Sequence, residues 1–389
     1  MHKIQMVDLK TQYEKIKPEV DAAIQNVIDT TAFINGPDVQ EFAKELAAYL
    51  GVKHVVPCAN GTDAIQIALM ALGLEPGDEV ITPSFTYIAT VEVVALLRLK
   101  PVFVDVDADT YTMNLDSLRK AITPKTKAII PVHLYGQSAD MQGVLDIAKE
   151  HNIPVIEDNA QAIGGNYTFP GGKRAKTGTM GTVGTTSFFP SKNLGCYGDG
   201  GAIFTNDDAL AETMKMVANH GQKVRYYHEM VGCNSRLDSI QAAVLRIKLR
   251  HLDEYCSARR TVADYYDNAF ANHPNIKTPY RAPYSYHVYH QYTMILEGVS
   301  RDAVVDKMTE RDIPSMIYYP VPSHKQNMFK DLGGNSFELP TTDYLQDRVI
   351  SLPIHTELTE EVLKHITTNF LEVIAELSKT KANPIPQTA

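Results

Sequence analysis

The chain has 389 residues, of which 44% are hydrophobic and 21% charged, with 23 glycines and 21 prolines. This is ordinary globular composition; it excludes a largely disordered, low-complexity or fibrous protein, and the length suggests two or three domains. The net charge of −9 argues against general nucleic-acid binding, which needs clustered lysine and arginine to neutralise phosphates. No run of about 18 apolar residues is present, so a spanning helix is excluded and no membrane partner is expected. The N-terminal stretch MHKIQMVDLKTQYEKIKPEV lacks the apolar segment of a secretion signal. Cys58, Cys196, Cys233 and Cys256 show neither C-x-x-C pairing nor zinc spacing with histidine. No metal is therefore expected, and free thiols in a reducing cytoplasm are the plain reading.

In chain order, short apolar runs alternate with amphipathic stretches from about residue 52. Strands are expected at Val55–Cys58, Glu79–Thr82, Pro101–Asp105, Lys127–Val132 and Ile153–Glu157, each with few charges, as in strands buried on both faces. Helices are expected at Thr62–Leu72, Thr86–Leu97, Leu115–Ala121 and Ala139–Glu150. This alternation predicts an α/β fold with a mainly parallel sheet covered by helices. Phe169–Arg174 reads as an exposed loop. Thr185–Phe188 and Gly201–Thr205 read as an antiparallel pair with a turn at Gly198-Asp199-Gly200. Asn206-Asp207-Asp208 caps a helix to about Asn219, and one long helical stretch from Leu237 to Phe270 is expected as a spine between two lobes. Tyr289–Leu296 reads as a strand, Ser300-Arg301-Asp302 as a helix start, and Thr359–Leu377 as a last helix before a frayed tail, KTKANPIPQTA.

Ligands of parallel sheets bind beyond the C-terminal strand ends, and several polar groups fall there. Asn60-Gly61-Thr62-Asp63 follows the first strand and opens a helix, where free N–H groups and the helix dipole suit a phosphate; an ordinary N-cap is the other reading. Asp158 ends a strand, placed either to hold a cationic ring nitrogen or to cap the segment after it; Gln161 lies within reach of the same ligand. Lys192 sits in Ser187-Phe188-Phe189-Pro190-Ser191-Lys192, ahead of a glycine-rich stretch. A partly desolvated lysine there would have a lowered pKa and a nucleophilic amine, whereas an arbitrary loop lysine is simply solvated. The combination of phosphate turn, strand-end acid and flanked lysine supplies three grips on pyridoxal phosphate: its phosphate, ring nitrogen and aldehyde. No P-loop, no G-x-G-x-x-G after a strand, no H-E-x-x-H and no G-x-S-x-G is present.

These residues resemble the DegT/DnrJ/StrS sugar aminotransferases, pyridoxal-phosphate enzymes of the aspartate-aminotransferase fold (fold type I). The likeness runs over about residues 4–372. It is carried by Asp8-Leu9 with Gln12, Asn60-Gly61-Thr62-Asp63-Ala64, Thr82–Tyr87, Pro131–Gly136, Glu157–Gln161, Ser187–Lys192, Gly198–Gly201, His220-Gly221, Asn234-Ser235-Arg236-Leu237 and Tyr319–Pro322. Longer phrases (CANGTDAIQI, TSFFPSKNLGCYGDGGAIFTND, VGCNSRLD) are similar to the subgroup that aminates C3 of a UDP-linked 2-acetamido-3-keto hexuronic acid with glutamate.

The resemblance implies a large cofactor-binding domain at 1–250, including an N-terminal arm, and a smaller C-terminal α+β domain at 251–389. It implies that Lys192 holds the cofactor and, once freed, moves the substrate proton; that Asp158 pairs with the ring nitrogen and Gln161 with the ring hydroxyl; and that Tyr87 stacks on the ring, a core aromatic being the other reading. Gly61, Thr62, Asp63 and Ser187 would cradle the phosphate, and Asn234 would reach the phosphate of a neighbouring subunit in a homodimer with shared sites. Arg236 would grip the hexuronate carboxylate or else form an ion pair with Asp238. Tyr318 and Tyr319 would line the sugar pocket. The partners implied are a UDP-linked keto sugar and L-glutamate, for surface-polysaccharide synthesis. The alternatives are a sister enzyme for a neutral UDP-, dTDP- or GDP-linked keto-deoxy sugar, a dehydratase branch that lacks the lysine, and a non-catalytic cofactor-binding regulator. Two departures bear on substrate: Tyr318-Tyr319-Pro320 stands where the subgroup has His-Tyr-Pro, and the loop Thr168–Thr177 is longer than usual.

Overall fold

The computed structural model describes residues 3–382. In chain order, α1 (Leu9–Thr30) and α2 (Pro37–Leu50) precede β1 (His54–Cys58), α3 (Gly61–Ala71), β2 (Glu79–Pro83), α4 (Ala89–Leu96), β3 (Lys100–Val104), α5 (Leu115–Ala121), β4 (Thr126–Ile129), α6 (Met141–Glu150) and β5 (Ile156–Asp158). Then come β6 (Asn166–Thr168), β7 (Arg174–Lys176), β8 (Val183–Ser187), β9 (Gly201–Thr205), α7 (Asp208–Ala218), β10 (Gln222–Val224), β11 (Tyr227–His228), α8 (Ser239–Arg250) and α9 (Leu252–Ala269). The remainder holds β12 (Ile276–Lys277), β13 (Ser285–Tyr286), β14 (Tyr292–Leu296), α10 (Arg301–Glu310), α11 (Pro340–Gln346), β15 (Val349–Leu352) and α12 (Glu360–Ala382).

Strands β1-β9-β8-β5 form one ladder and β3-β2-β4 another. Parallel bridges Ile129–Val155 and Val132–Asp158 join them, giving the order β1-β9-β8-β5-β4-β2-β3. Only β9 runs against the rest. Because successive strand residues point to opposite faces, Val55 and Phe204 pack against α2 and α8 while Val56 and Ile203 pack against α3 and α7. Both faces are therefore buried, which is why the strands read as unbroken apolar runs. A second, antiparallel sheet, β12-β14-β15, buries Met294 and Ile350 against Tyr266 of α9, Met308 of α10 and Phe370 of α12.

Four expectations are corrected. The stretch Leu237–Phe270 is two helices, because at His251 the N–H bonds Lys248 O instead of continuing the regular helix ladder, which closes α8 before α9 starts. Phe169–Lys173 is a loop as expected, the tip of the β6–β7 hairpin, but Arg174 lies in β7, which extends a small sheet with β13. The connection between β8 and β9 is the whole segment 188–200 rather than a tight turn. The helix expected from Thr86 starts at Ala89, leaving Thr86 and Tyr87 in the connection. Of the tail expected to fray, α12 runs through Ala382, and residues 383–389 lie outside those described. Among the described residues no helix is long and apolar enough to cross a membrane, and no cluster could hold a metal ion.

Candidate active site

A cavity of about 650 Å³ opens at the C-terminal ends of the parallel strands. Its first wall is the start of α3. Asn60, not Thr62 or Asp63, is the N-cap: its Oδ1 accepts the Asp63 N–H at 2.8 Å. Gly61 and Thr62 therefore begin a helix with N–H groups that have no intrahelical acceptor, the arrangement that suits an anion. Ser187, at the end of β8, completes this corner. A Cβ on Gly61 would stand 2.7 Å from Ser187 Cβ, so glycine is what lets α3 approach β8. Asp63 lines the same corner. Its N–H is already taken by Asn60, which leaves the N–H groups of Gly61 and Thr62 and the Ser187 hydroxyl as the donors of this corner.

Asp158 is the last residue of β5. Its N–H donates to Pro131 O at 2.9 Å and its carbonyl accepts the His133 N–H at 3.0 Å, so its backbone is set by the sheet. Oδ2 accepts the Thr90 hydroxyl at 2.8 Å and Oδ1 the Ala160 N–H at 3.1 Å. Next to it Glu157, fully buried, accepts N–H groups from His133 Nε2 and Gly178 at 2.8 Å and from Met180 and Gly181 at 2.5 Å. His133 Nδ1 accepts the Ala139 N–H, which fixes Nε2 as the donor.

Lys192 lies on the connection after β8. Its N–H donates to Phe189 O at 2.9 Å, and Asn193 Nδ2 donates to Val288 O at 3.0 Å. A Cβ on Gly195 would meet Pro190 O at 2.3 Å, so the glycine behind the lysine permits the tight fold of this segment. Burial pushes the Lys192 amine down to about 8, with the Asp158 carboxylate pulling the other way. His290, also in the cavity wall, is held well below its ordinary value by burial and by the nearby Lys192 and Arg259 cations, and is neutral.

The opposite wall is aromatic. Gln161 Oε1 accepts the Tyr135 N–H at 2.7 Å, which orients its Nε2 to donate to the Tyr319 hydroxyl at 3.0 Å. The Tyr319 ring lies 6.0 Å from that of Tyr87, and Tyr318 borders the same space. Tyr87 is not a core aromatic, being 55% exposed.

Thus Gly61, Thr62, Asp63, Tyr87, Asp158, Gln161, Ser187, Lys192, Tyr318 and Tyr319 meet at one cavity. Asn234 and Arg236 do not line it. Asn234 is exposed, bridged to Asn219 beside the exposed β10–β11 hairpin. Arg236 forms no ion pair with Asp238 among the described residues, and its Nε is buried without a partner. The long loop reaches the cavity at no residue between 168 and 177. The sequence reading missed Thr90, His290, Gln291 and Asp199; only Asp199 carried a signal, inside the glycine turn.

This donor set fits pyridoxal phosphate: a helix start and Ser187 for the phosphate, a buried carboxylate for the ring nitrogen, and a lysine amine with a lowered pKa for the aldehyde. The comparisons agree. The chain is 48% identical over 363 residues to a UDP-2-acetamido-2-deoxy-3-oxo-D-glucuronate aminotransferase of Pseudomonas aeruginosa, covering 93% of this chain and 98% of the relative. It is 44% identical over 366 residues to a UDP-N-acetyl-3-dehydro-alpha-D-glucosamine 3-aminotransferase of Acidithiobacillus ferrooxidans, with 94% and 96% covered. The fold matches a solved aminotransferase from Brucella abortus at TM-score 0.89 and 41% identity, over 95% of this chain and 99% of that one. Similar solved structures include forms with pyridoxamine phosphate or pyridoxal phosphate bound. Residues 14–371 match the DegT/DnrJ/EryC1/StrS aminotransferase family, and the chain belongs to that family of pyridoxal-phosphate-dependent transaminases.

Proposed function

We propose that this enzyme transfers the amino group of L-glutamate to the 3-keto carbon of a UDP-linked 2-acetamido hexuronic acid, in the cytoplasm, for a diamino sugar acid of surface polysaccharide. The observation that carries it is the meeting of Lys192, Asp158 and the α3 start in one cavity, in a chain 48% identical to an aminotransferase of that 3-oxo-glucuronate. Bound pyridoxal phosphate supplies an electron-withdrawing ring that stabilises negative charge at the amino-bearing carbon. Lys192, its amine lowered to about 8 by burial, takes the proton from the substrate carbon and delivers it to complete the transfer. The carboxylate of Asp158, held at both oxygens, keeps a proton on the ring nitrogen. Gly61, Thr62 and Ser187 anchor the phosphate; Gln161 meets the ring hydroxyl; Tyr87 covers the ring face and excludes water; Tyr318 and Tyr319 face the sugar.

The working unit is a homodimer, in which Asn234 of one subunit reaches the phosphate held by the other and Arg236 reaches the sugar carboxylate. Support comes from the exposed apolar side chains of Ile34, Tyr226, Tyr227 and Val231 and from the unpaired Arg236 Nε. The chain divides at about residue 250; the break at His251 and the separate apolar core from Val262 to Ile374 support this. A second reading, a neutral keto sugar, is favoured by one observation: among the described residues no arginine of this chain lines the cavity. Absorbance of the holoenzyme tests both. Glutamate should bleach the cofactor band, and UDP-2-acetamido-3-keto-hexuronate should restore it. Restoration only by the neutral 3-keto sugar would replace the first reading with the second.

A further inference from the structure

Two side chains outside the cavity join two of its walls. Ser84 follows β2 on the connection that carries Tyr87 into the cavity. His324 follows Tyr319 on the segment that forms the opposite wall. Ser84 Oγ accepts the His324 backbone N–H at 3.0 Å and lies 2.7 Å from Nδ1 of the same residue. The Ser84 carbonyl accepts the Ser323 N–H at 3.0 Å. The Asp343 carboxylate oxygen 3.6 Å from Nε2 favours the proton of the neutral ring there, so Nδ1 is the acceptor and the Ser84 hydroxyl its donor. Burial holds this imidazole below its ordinary value, so it stays neutral and keeps that acceptor.

Serine, histidine and aspartate in this order resemble a nucleophilic triad. Yet Ser84 is fully buried and is not part of the cavity wall, so its hydroxyl meets no substrate. What the array does hold is the segment 316–324. At the other end of that segment, Met316 and Ser351 exchange N–H···O bonds of 3.0 and 2.8 Å. Between the two fastenings, the Tyr318 carbonyl accepts the Tyr135 hydroxyl and Tyr319 accepts from Gln161. The segment is a strap tied at both ends with its aromatic residues facing the cavity.

We propose that Ser84 and His324 are positioning residues that set the Tyr318–Tyr319 wall against Tyr87 and so determine how tightly the nucleotide-linked sugar is held, while the smaller glutamate is served without them. The inference rests on the function proposed above, because it assigns that wall to the sugar.

Ser84→Ala removes the side-chain part of the fastening, keeps the backbone bond from the Ser323 N–H to the Ser84 carbonyl and leaves every cavity residue in place. The two half-reactions are measured separately on the holoenzyme. The glutamate step should stay within about two-fold of wild type, and the KM for the keto sugar should rise roughly ten-fold with kcat kept, as for the loss of uniform binding. Amide exchange should quicken at residues 316–326 alone. His324→Ala should behave in the same way, while His324→Asn, whose amide oxygen can take the Ser84 proton, should largely restore the sugar KM. Equal losses in both half-reactions, or an unchanged sugar KM, would overturn the proposal. If the wild type bleaches with glutamate but never turns over the sugar, the proposed substrate fails by itself. Exchange in Ser84→Ala then decides the strap, and unchanged exchange at 316–326 overturns it too.

Discussion

Thr90 donates its hydroxyl to Oδ2 of Asp158 at 2.8 Å, and both residues are buried. One belongs to the first turn of α4, the other to the last position of β5. The carboxylate at the base of the cavity is therefore aimed by a helix as well as by its own strand.

Thr90→Val keeps the shape and removes this donor. A lost hydrogen bond to a charged group costs about 1.5–3 kcal/mol. Cofactor affinity should fall roughly ten-fold or more by that arithmetic, and Thr90→Ser should retain most of it. Titration of the apo protein with pyridoxal phosphate, followed by absorbance, measures both.

The Lys192 amine, lowered by burial to about 8 from an ordinary 10.5, sets a pH profile. Only the neutral amine attacks a carbonyl. Capture of pyridoxal phosphate by the apo protein should accelerate as pH rises through about 8 and level off beyond it, not climb toward 10. Asp158 raises the lysine's value, so Asp158→Asn should move the midpoint lower.

Glu157 accepts four N–H groups and is fully buried. In Glu157→Gln one acceptor becomes a donor, and at least one buried N–H faces another. The expected loss of stability is about 2–4 kcal/mol at pH 7, read from urea unfolding. A loss under about 0.5 kcal/mol, the range of surface substitutions, would show that the site rearranges freely.

Gly61→Ala places a methyl 2.7 Å from Ser187 Cβ. Overpacking of this kind costs about 1–3 kcal/mol. Because the strain falls at the corner assigned to the phosphate, cofactor affinity should drop more than thermal stability of the apo protein. Calorimetry of the apo form beside a cofactor titration separates the two.

Asp158 and the α3 start were legible because each sits at the end of an apolar strand, with Gln161 and Lys192 three and five residues past the ends of β5 and β8, and strand ends are where parallel sheets bind ligands. The strands themselves were legible because both of their faces are buried. The β6–β7 hairpin was not: three-residue strands are too short to show a period. The break at His251 was not either, since helical spacing continues across it and only the shifted N–H bond of one residue ends α8.

The sequence by itself determined the layered α/β architecture and singled out the residues proposed to grip the cofactor, because these follow from local patterns within a few residues of each motif. Tertiary structure alone decided what aims them. Thr90 meets Asp158 across 68 residues and Ser84 meets His324 across 240. Arg236 standing apart from the cavity is likewise an outcome of packing. A hydrogen bond between distant segments depends on how whole elements pack, and no local period or motif spacing records that.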